Sequence, residues 1–221
     1  QAGTNTAAPI SVLKTIYQEA LDCEGVVGLS IATRPDCLPD EVVELIGEFS
    51  QKTRVWVELG LQSADNRTLA VIGRGHTFED YLDAVEKLAK IQVRICTHIM
   101  IGLPGETTAD VRRTARRVAE TAVQEIKIHP LLILRQTKLA ELYERGEMRE
   151  LALQQYAELV CDFLERLPPE MVIQRLTAEA PIDMTIAPKW SQNKLAVLNA
   201  VDREFAKRGS RQGAKFAGRR R

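Results

Sequence analysis

In the stretch "VWVELGLQS" (55–63), Val55, Val57, Leu59 and Leu61 fall on one face and Trp56, Glu58, Gly60 and Gln62 on the other. A period of two residues is the mark of a β-strand. The same period returns three times. "VVGLSIAT" (26–33) sets Val27, Leu29 and Ile31 against Gly28, Ser30, Ala32 and, one residue further, Arg34. "VRICTHIMIG" (93–102) sets Ile95, Ile99 and Ile101 against Arg94, Cys96, His98, Met100 and Gly102. "EIKIHPLLIL" (125–134) opens with Ile126 and Ile128 against Lys127 and His129.

Between these stretches the apolar period lengthens to that of a helix. Helices are predicted over 9–23, opened by Pro9, over 40–50 after Pro39, and briefly over 64–72. Another starts at Thr77, where "TFED" resembles a capping box, and gathers Phe78, Tyr81, Leu82, Val85, Leu88 and Ala89 on one face. A further helix, 107–122, carries an arginine-rich outer face. Beyond the fourth strand come two helices, the second marked by Tyr156, Leu159, Val160, Phe163, Leu164 and Leu167. A short strand (171–177) after Pro168-Pro169 and a closing helix (191–208) complete the pattern.

Strand alternating with helix predicts parallel strands joined by crossover helices. In an open doubly wound sheet both faces of each strand are covered, so both would be apolar. Here each strand has one greasy face and one small or polar face. A barrel meets that condition, because helices cover only its outside and its lumen can hold a ligand. The pattern therefore predicts a partial parallel β/α barrel with Glu58 and Gln62 turned inward. Parity also places Lys127 on a neighbouring inner face at similar depth, close enough to pair with Glu58. Whether Glu58 is a structural ion pair, with Lys127 or Arg94, or a group that meets substrate stays open at this level.

Composition changes this picture little. The chain has 221 residues, 45% hydrophobic and 27% charged, an ordinary globular profile. Lysine plus arginine equals aspartate plus glutamate at 30 each, so overall charge gives no sign of a nucleic-acid or membrane partner. No apolar run approaches the ~20 residues that span a bilayer. Cys23, Cys37, Cys96 and Cys161 are too far apart for a C-x-x-C motif and do not form a disulfide pattern, which fits thiols in a reducing cytoplasm. Three segments are expected: the barrel over 1–150, helices and a strand packed on it over 151–207, and a tail over 208–221. The tail holds six basic residues and no acid and is expected to be unordered.

Sites in β/α folds gather at the C-terminal ends of the strands. Those ends read "QAGTNT", "TRPDC", "LGLQS", "IGLPGET" and "HPLLILRQT". Together with "IGRGHT", "LPPEMVIQRLT" and "IAPKWS", this series resembles the radical S-adenosylmethionine (SAM) superfamily. Within it, it resembles the YhcC-type proteins, which are similar to the radical SAM domain of the elongator catalytic subunit. The resemblance implies a partial (β/α)6 barrel in which a [4Fe–4S] cluster, fed by a donor such as a flavodoxin or ferredoxin, passes an electron to SAM. The 5′-deoxyadenosyl radical so formed takes hydrogen from a substrate, here unknown and with RNA among the candidates.

Carried over residue by residue, the resemblance implies that Gly3, Thr4 and Asn5 meet the methionine end of SAM. Gln62 and Arg74 match SAM-contacting positions, His98 and Met100 line the adenosine, and Leu132 falls near the adenine. A position often occupied by a SAM-binding glutamate is Ala32 here. No catalytic role is assigned, and the inner-face candidates are Arg34, Glu58, Lys127 and His129. The superfamily's C-x3-C-x2-C cluster motif is absent, so no metal ligand is expected in this chain. Its cysteines are expected upstream of residue 1, consistent with a sequence that begins at Gln1 without methionine. Alternatives are a clusterless barrel binding SAM or a nucleotide, an RNA-binding module, and an acid–base enzyme using Glu58, Lys127 and His129.

Overall fold

The computed structural model describes residues 4–218. In chain order, α1 (Ile10–Asp22) leads into β1 (Gly28–Thr33), α2 (Asp40–Ser50), β2 (Arg54–Gln62), α3 (Asn66–Val71) and α4 (Phe78–Lys90). Then follow β3 (Arg94–Ile101), α5 (Thr108–Ala119), β4 (Glu125–Pro130), β5 (Ile133–Leu134), α6 (Lys138–Glu144), α7 (Leu153–Leu164), β6 (Val172–Arg175), β7 (Thr185–Ala187) and α8 (Lys194–Arg208). Five strands make one parallel sheet in the order β1-β2-β3-β4-β6. This is the parallel half of the expected barrel, with β1 and β6 at the edges of the described sheet.

The apolar residues of each strand meet across the sheet in register. Ile31 stands beside Val57 and Val57 beside Ile95; Thr33, Leu59, Thr97 and Ile126 form the next row. All are buried under the helices, in one core that also takes Phe49, Tyr81, Val118, Tyr156 and Phe163. Thr97 is the one polar member of the inner core rows of β3, and its hydroxyl is satisfied by Tyr81 Oη at 2.7 Å. α4 begins as its sequence predicts, with a capping box: Thr77 Oγ1 accepts from the Asp80 amide, and Asp80 accepts from the Thr77 amide. The other face of the sheet carries the small and polar set.

Two features depart from the sequence reading. The stretch 125–134 is two strands, because Pro130 ends β4 and Leu131 N still bonds to Ile101 O before the chain turns away. β5 then pairs antiparallel with β7, a three-residue strand too short to show any period. Ile133, Ala140 and Ala187 form a small second core around this ladder.

The tail is the second departure. Expected to be unordered, its described part lies along the end of α7: Gly213 N donates to Leu164 O, Lys215 N to Glu165 O, and Gln212 Nε2 to Pro168 O and Met171 O. The cause is charge hidden on α7 and α8. Asp162, Glu165 and Glu204 are buried, and Arg208 and Lys215 reach in to neutralise them, with Lys215 Nζ 2.5 Å from Glu165 Oε2. Burial works to raise the Glu165 pKa, but Lys215, Ser210 and Arg208 together hold it below the ordinary value. Truncation after Arg208 is expected to cost about 1–3 kcal/mol in denaturant unfolding, since it strips a buried carboxylate of its strongest partner. An unchanged midpoint would show that the tail is a passenger.

Candidate functional site

The polar face of the sheet is ordered in rows. Ala32, Glu58, Cys96 and Glu125 form one, and the next towards the strands' C-terminal ends is Gly60, His98, Lys127 and Arg175. Met100 and His129 form the row above. Glu58 reaches upward from its own row. Its Oε1 lies 2.6 Å from Lys127 Nζ and accepts from Ser30 Oγ at 2.7 Å, while Oε2 accepts from His98 Nε2 at 2.8 Å. The expected Glu58–Lys127 pair is present, although Lys127 sits one row nearer the open end than parity alone suggested. The hydrogen bond from His98 does most to hold the Glu58 carboxyl well below its ordinary 4.5, helped by Lys127 and Ser30 and opposed by burial.

His98 therefore directs Nε2 at Glu58, whatever else its ring touches. Its ring stacks at a tilt of 35° on that of His129, centroids 5.2 Å apart. His129 Nε2 is buried and has no hydrogen-bond partner. Burial, with the charges of His98, Arg175 and Lys127 nearby, pushes the His129 pKa down to about 3, so the ring is neutral across physiological pH.

The second group lies at the C-terminal end of β2. Parity puts Glu58, Gly60 and Gln62 on one face, but the register slips between Gly60 and Gln62, so that Gln62 stands opposite Ile99. Gln62 takes a φ of 74°, in the left-handed region, and folds its amide back over Gly60. Arg74, just after α3, comes to the same place: Nη2 and Nε both donate to Gly60 O, at 2.8 and 3.3 Å. A methyl on Gly60 would sit 3.0 Å from Gln62 Nε2 and collide with Arg74 Nη2. Gly60 is thus the floor on which these two side chains converge. Gln62 Oε1 is buried without a partner, and the residue borders a small void shared with Met100, Glu106 and the helix-side residues Ile99, Val111 and Phe163. Glu106 accepts from Ser63 Oγ, and burial pushes its pKa up.

The N-terminal segment is tied to the end of β1. Asn5 N donates to Ala32 O, Asn5 O accepts from Tyr17 Oη, and the Thr4 and Thr6 hydroxyls both meet Thr33 Oγ1. Gly3 lies outside the described residues. Leu132 is half-buried in the turn between β4 and β5. Arg34 does not join the Glu58 group: it grips Asp36 with Nε and Nη2, at 2.9 and 2.5 Å, and lies over Gly75. His76, buried and with Nδ1 3.8 Å from Asp36, stands in the same group, and burial lowers its pKa. Ser30, His76 and Arg175 were not singled out from the sequence. Ser30 was legible by its alternation, His76 only as a neighbour of Arg74 in "IGRGHT".

Two absences hold among the described residues. No group of three or more His, Cys, Asp or Glu side chains is placed to hold a metal ion, and the four cysteines are scattered from the exposed Cys23 to the buried Cys96 and Cys161. They do not fit a [4Fe–4S] cluster. No helix is long and apolar enough to cross a membrane. The arginines of α5 are largely committed within the fold, Arg112 to Asp162, Arg113 to Asp65, and Arg117 over the Phe78 ring. A cavity of about 860 Å3 lies on the helix side of the sheet, between the loop after β3 and α7. Neither Gln62 nor His129, whose Oε1 and Nε2 are buried without partners, borders it.

Comparison with known proteins gives a consistent result. The radical SAM superfamily pattern matches residues 11–118, and the radical SAM C-terminal domain matches residues 123–207. The chain is 47% identical over 216 residues to the uncharacterized protein YtqA of Bacillus subtilis (strain 168), covering 98% of this chain and 67% of that protein. It is 37% identical over 210 residues to protein YhcC of Escherichia coli (strain K12), covering 95% of this chain and 68% of that one. Among solved structures, the archaeal Elp3 of Methanocaldococcus infernus with an N-terminal deletion superposes with a TM-score of 0.80 at 22% identity, over 96% of this chain and 54% of that chain. The chain thus spans about two thirds of these sequence relatives and about half of the Elp3 chain.

Proposed function

The chain belongs to the radical SAM superfamily, and we propose that its part in that chemistry is to hold SAM at the C-terminal end of β2 and to shape the lumen in which a substrate meets it. The observation that carries this reading is the convergence of Gln62 and Arg74 over Gly60, with Gln62 Oε1 buried and partnerless. A buried amide oxygen without a donor is costly unless a ligand supplies one, and the bare floor at Gly60 is what lets Gln62 and Arg74 close over it. Gln62 and Arg74 would hold the polar end of SAM, with Thr4 and Asn5 at the neighbouring strand end and Met100 against the adenosine. When bound and reduced, SAM supplies a carbon-centred radical that removes a hydrogen atom from substrate.

This chain's own residues give the lumen its character. Glu58, locked by Lys127, His98 and Ser30, is a satisfied floor and not a free base. His129 offers one neutral nitrogen without changing charge. Lumen groups already paired to one another do not swing to quench a reactive intermediate.

The reading assigns the cluster to cysteines N-terminal to this sequence. Anaerobic reconstitution is expected to leave no iron or sulfide on the 221-residue chain after desalting, and one [4Fe–4S] cluster on the longer protein. SAM should then bind the longer protein saturably in calorimetry. Iron and sulfide retained in stoichiometric amount by the chain alone would overturn the assignment of the ligands, and absence of SAM binding to the reconstituted protein would overturn the reading itself.

A further inference from the structure

The row Gly60, His98, Lys127, Arg175 crosses the lumen face from β2 to β6, reaching Arg175 through a register shift between Ile126 and Lys127. At about 4.8 Å per strand, its ends are about 14 Å apart. Two of its four places carry cations whose balance differs. Lys127 is neutralised by Glu58. Arg175, exposed on the edge strand β6, has no carboxylate partner among the described residues. Glu125, in the row below, is already engaged by Arg94 and by Gln174 Nε2. Arg74 over Gly60 is likewise bound only to a carbonyl, Gly60 O. The lumen thus has an uncompensated guanidinium at each end of one row, with a satisfied Glu58–His98–Lys127 group between them.

We propose that Arg175, with His129 and the paired Lys127 beside it, forms an anion-holding subsite at the β4–β6 edge of the lumen, where the substrate presents a phosphate or carboxylate group. This rests on the reading that the Arg74 end holds SAM, since one lumen must then place cofactor and substrate side by side. The buried, partnerless Nε2 of His129 is a second, independent observation at this edge. Arg175 pairs with Lys127 on the neighbouring strand, which puts it on the row next to His129 at the exposed edge of the sheet. A neutral imidazole donating one hydrogen bond beside a guanidinium fork suits an oxyanion, which the fork can hold through two parallel charge-assisted hydrogen bonds. Glu58 does not repel such a group, because its carboxylate faces Lys127, His98 and Ser30.

The test uses the intact protein with inorganic phosphate as probe, acetate in a parallel arm and sodium chloride at matched ionic strength as control. The readout is the imidazole nitrogen signal of His129 by NMR, with SAM affinity measured separately by calorimetry. A saturable shift with phosphate or acetate, not reproduced by chloride, is expected, and the arm that responds tells a phosphoryl from a carboxylate group. Arg175→Gln should weaken that response at least about tenfold, as loss of a charge-assisted contact implies, while SAM affinity stays unchanged. Arg175→Lys should restore part of it. An unmoved His129 signal, an equal response to chloride, or an unchanged response in Arg175→Gln would overturn the subsite. Loss of SAM binding with the anion response intact would instead sink the reading of the Arg74 end.

Discussion

Glu58→Ala is expected to destabilise the protein by about 3 kcal/mol at neutral pH, because it leaves Lys127 in the lumen without its counter-charge and removes the acceptor of His98 and Ser30. Both partner side chains are only 16% exposed, so water makes good little of the loss. Lys127→Met should be costly too, and the double variant Glu58→Ala/Lys127→Met should recover much of the sum, since no buried charge is then stranded. A double-mutant cycle by denaturant unfolding reads this as coupling of at least about 1 kcal/mol; coupling below about 0.5 kcal/mol would show that the two do not act as a pair. The pH dependence has a definite sign. The folded pKa of Glu58 lies below its ordinary 4.5, so its contribution is complete above the usual carboxylate range and is lost as pH falls beneath it. In Glu58→Gln that part of the acid-side slope should vanish.

Gln62→Ala and Arg74→Ala are each expected to weaken SAM binding at least about tenfold, from the roughly 1.5–3 kcal/mol carried by a hydrogen bond to a charged group. Stability should change little, because Gln62 Oε1 has no partner to lose and Arg74 has only a carbonyl. Gly60→Ala gives the same loss by another route. Its methyl displaces the flexible ends of Arg74 and Gln62, so the backbone is spared while the cradle is filled. Calorimetry on the reconstituted protein decides this: unchanged affinity in all three variants would mean that SAM binds elsewhere, and unfolding of Gly60→Ala would mean that the position is structural.

Much of this could be read from alternation alone. Four strands with one polar face each implied an enclosed inner surface, and the Glu58–Lys127 pair followed from parity on β2 and β4. Alternation failed where the backbone broke its own period. The slip between Gly60 and Gln62 cannot be seen in "VELGLQS", whose residues keep alternating through it. Depth across the sheet also escaped, because register belongs to pairs of strands and not to either strand alone; hence Lys127 stands a row above Glu58. The tail was misread for a related reason. Its basic composition is that of a solvated end, and nothing in the sequence shows that the carboxylates that anchor it, Asp162 on α7, Glu165 just past it and Glu204 on α8, are buried. The site residues themselves owe their assignment to the resemblance in motif, and their convergence on Gly60 to the structure.

The short ladder between β5 and β7 joins Ile133 to Ala187, and so clasps a long excursion of chain that contains α6, α7 and β6. Within that excursion, residues 145–150 form a strap that is almost wholly exposed and belongs to no strand or helix. A cut in the strap would sever the covalent chain without freeing either piece. The piece after the cut holds α7 and β6, packed against α5 and β4 of the piece before it, and β7 returns to grip β5. The fold is in this sense already divided into two interlocking parts, and the strap records where its continuity is incidental to its shape.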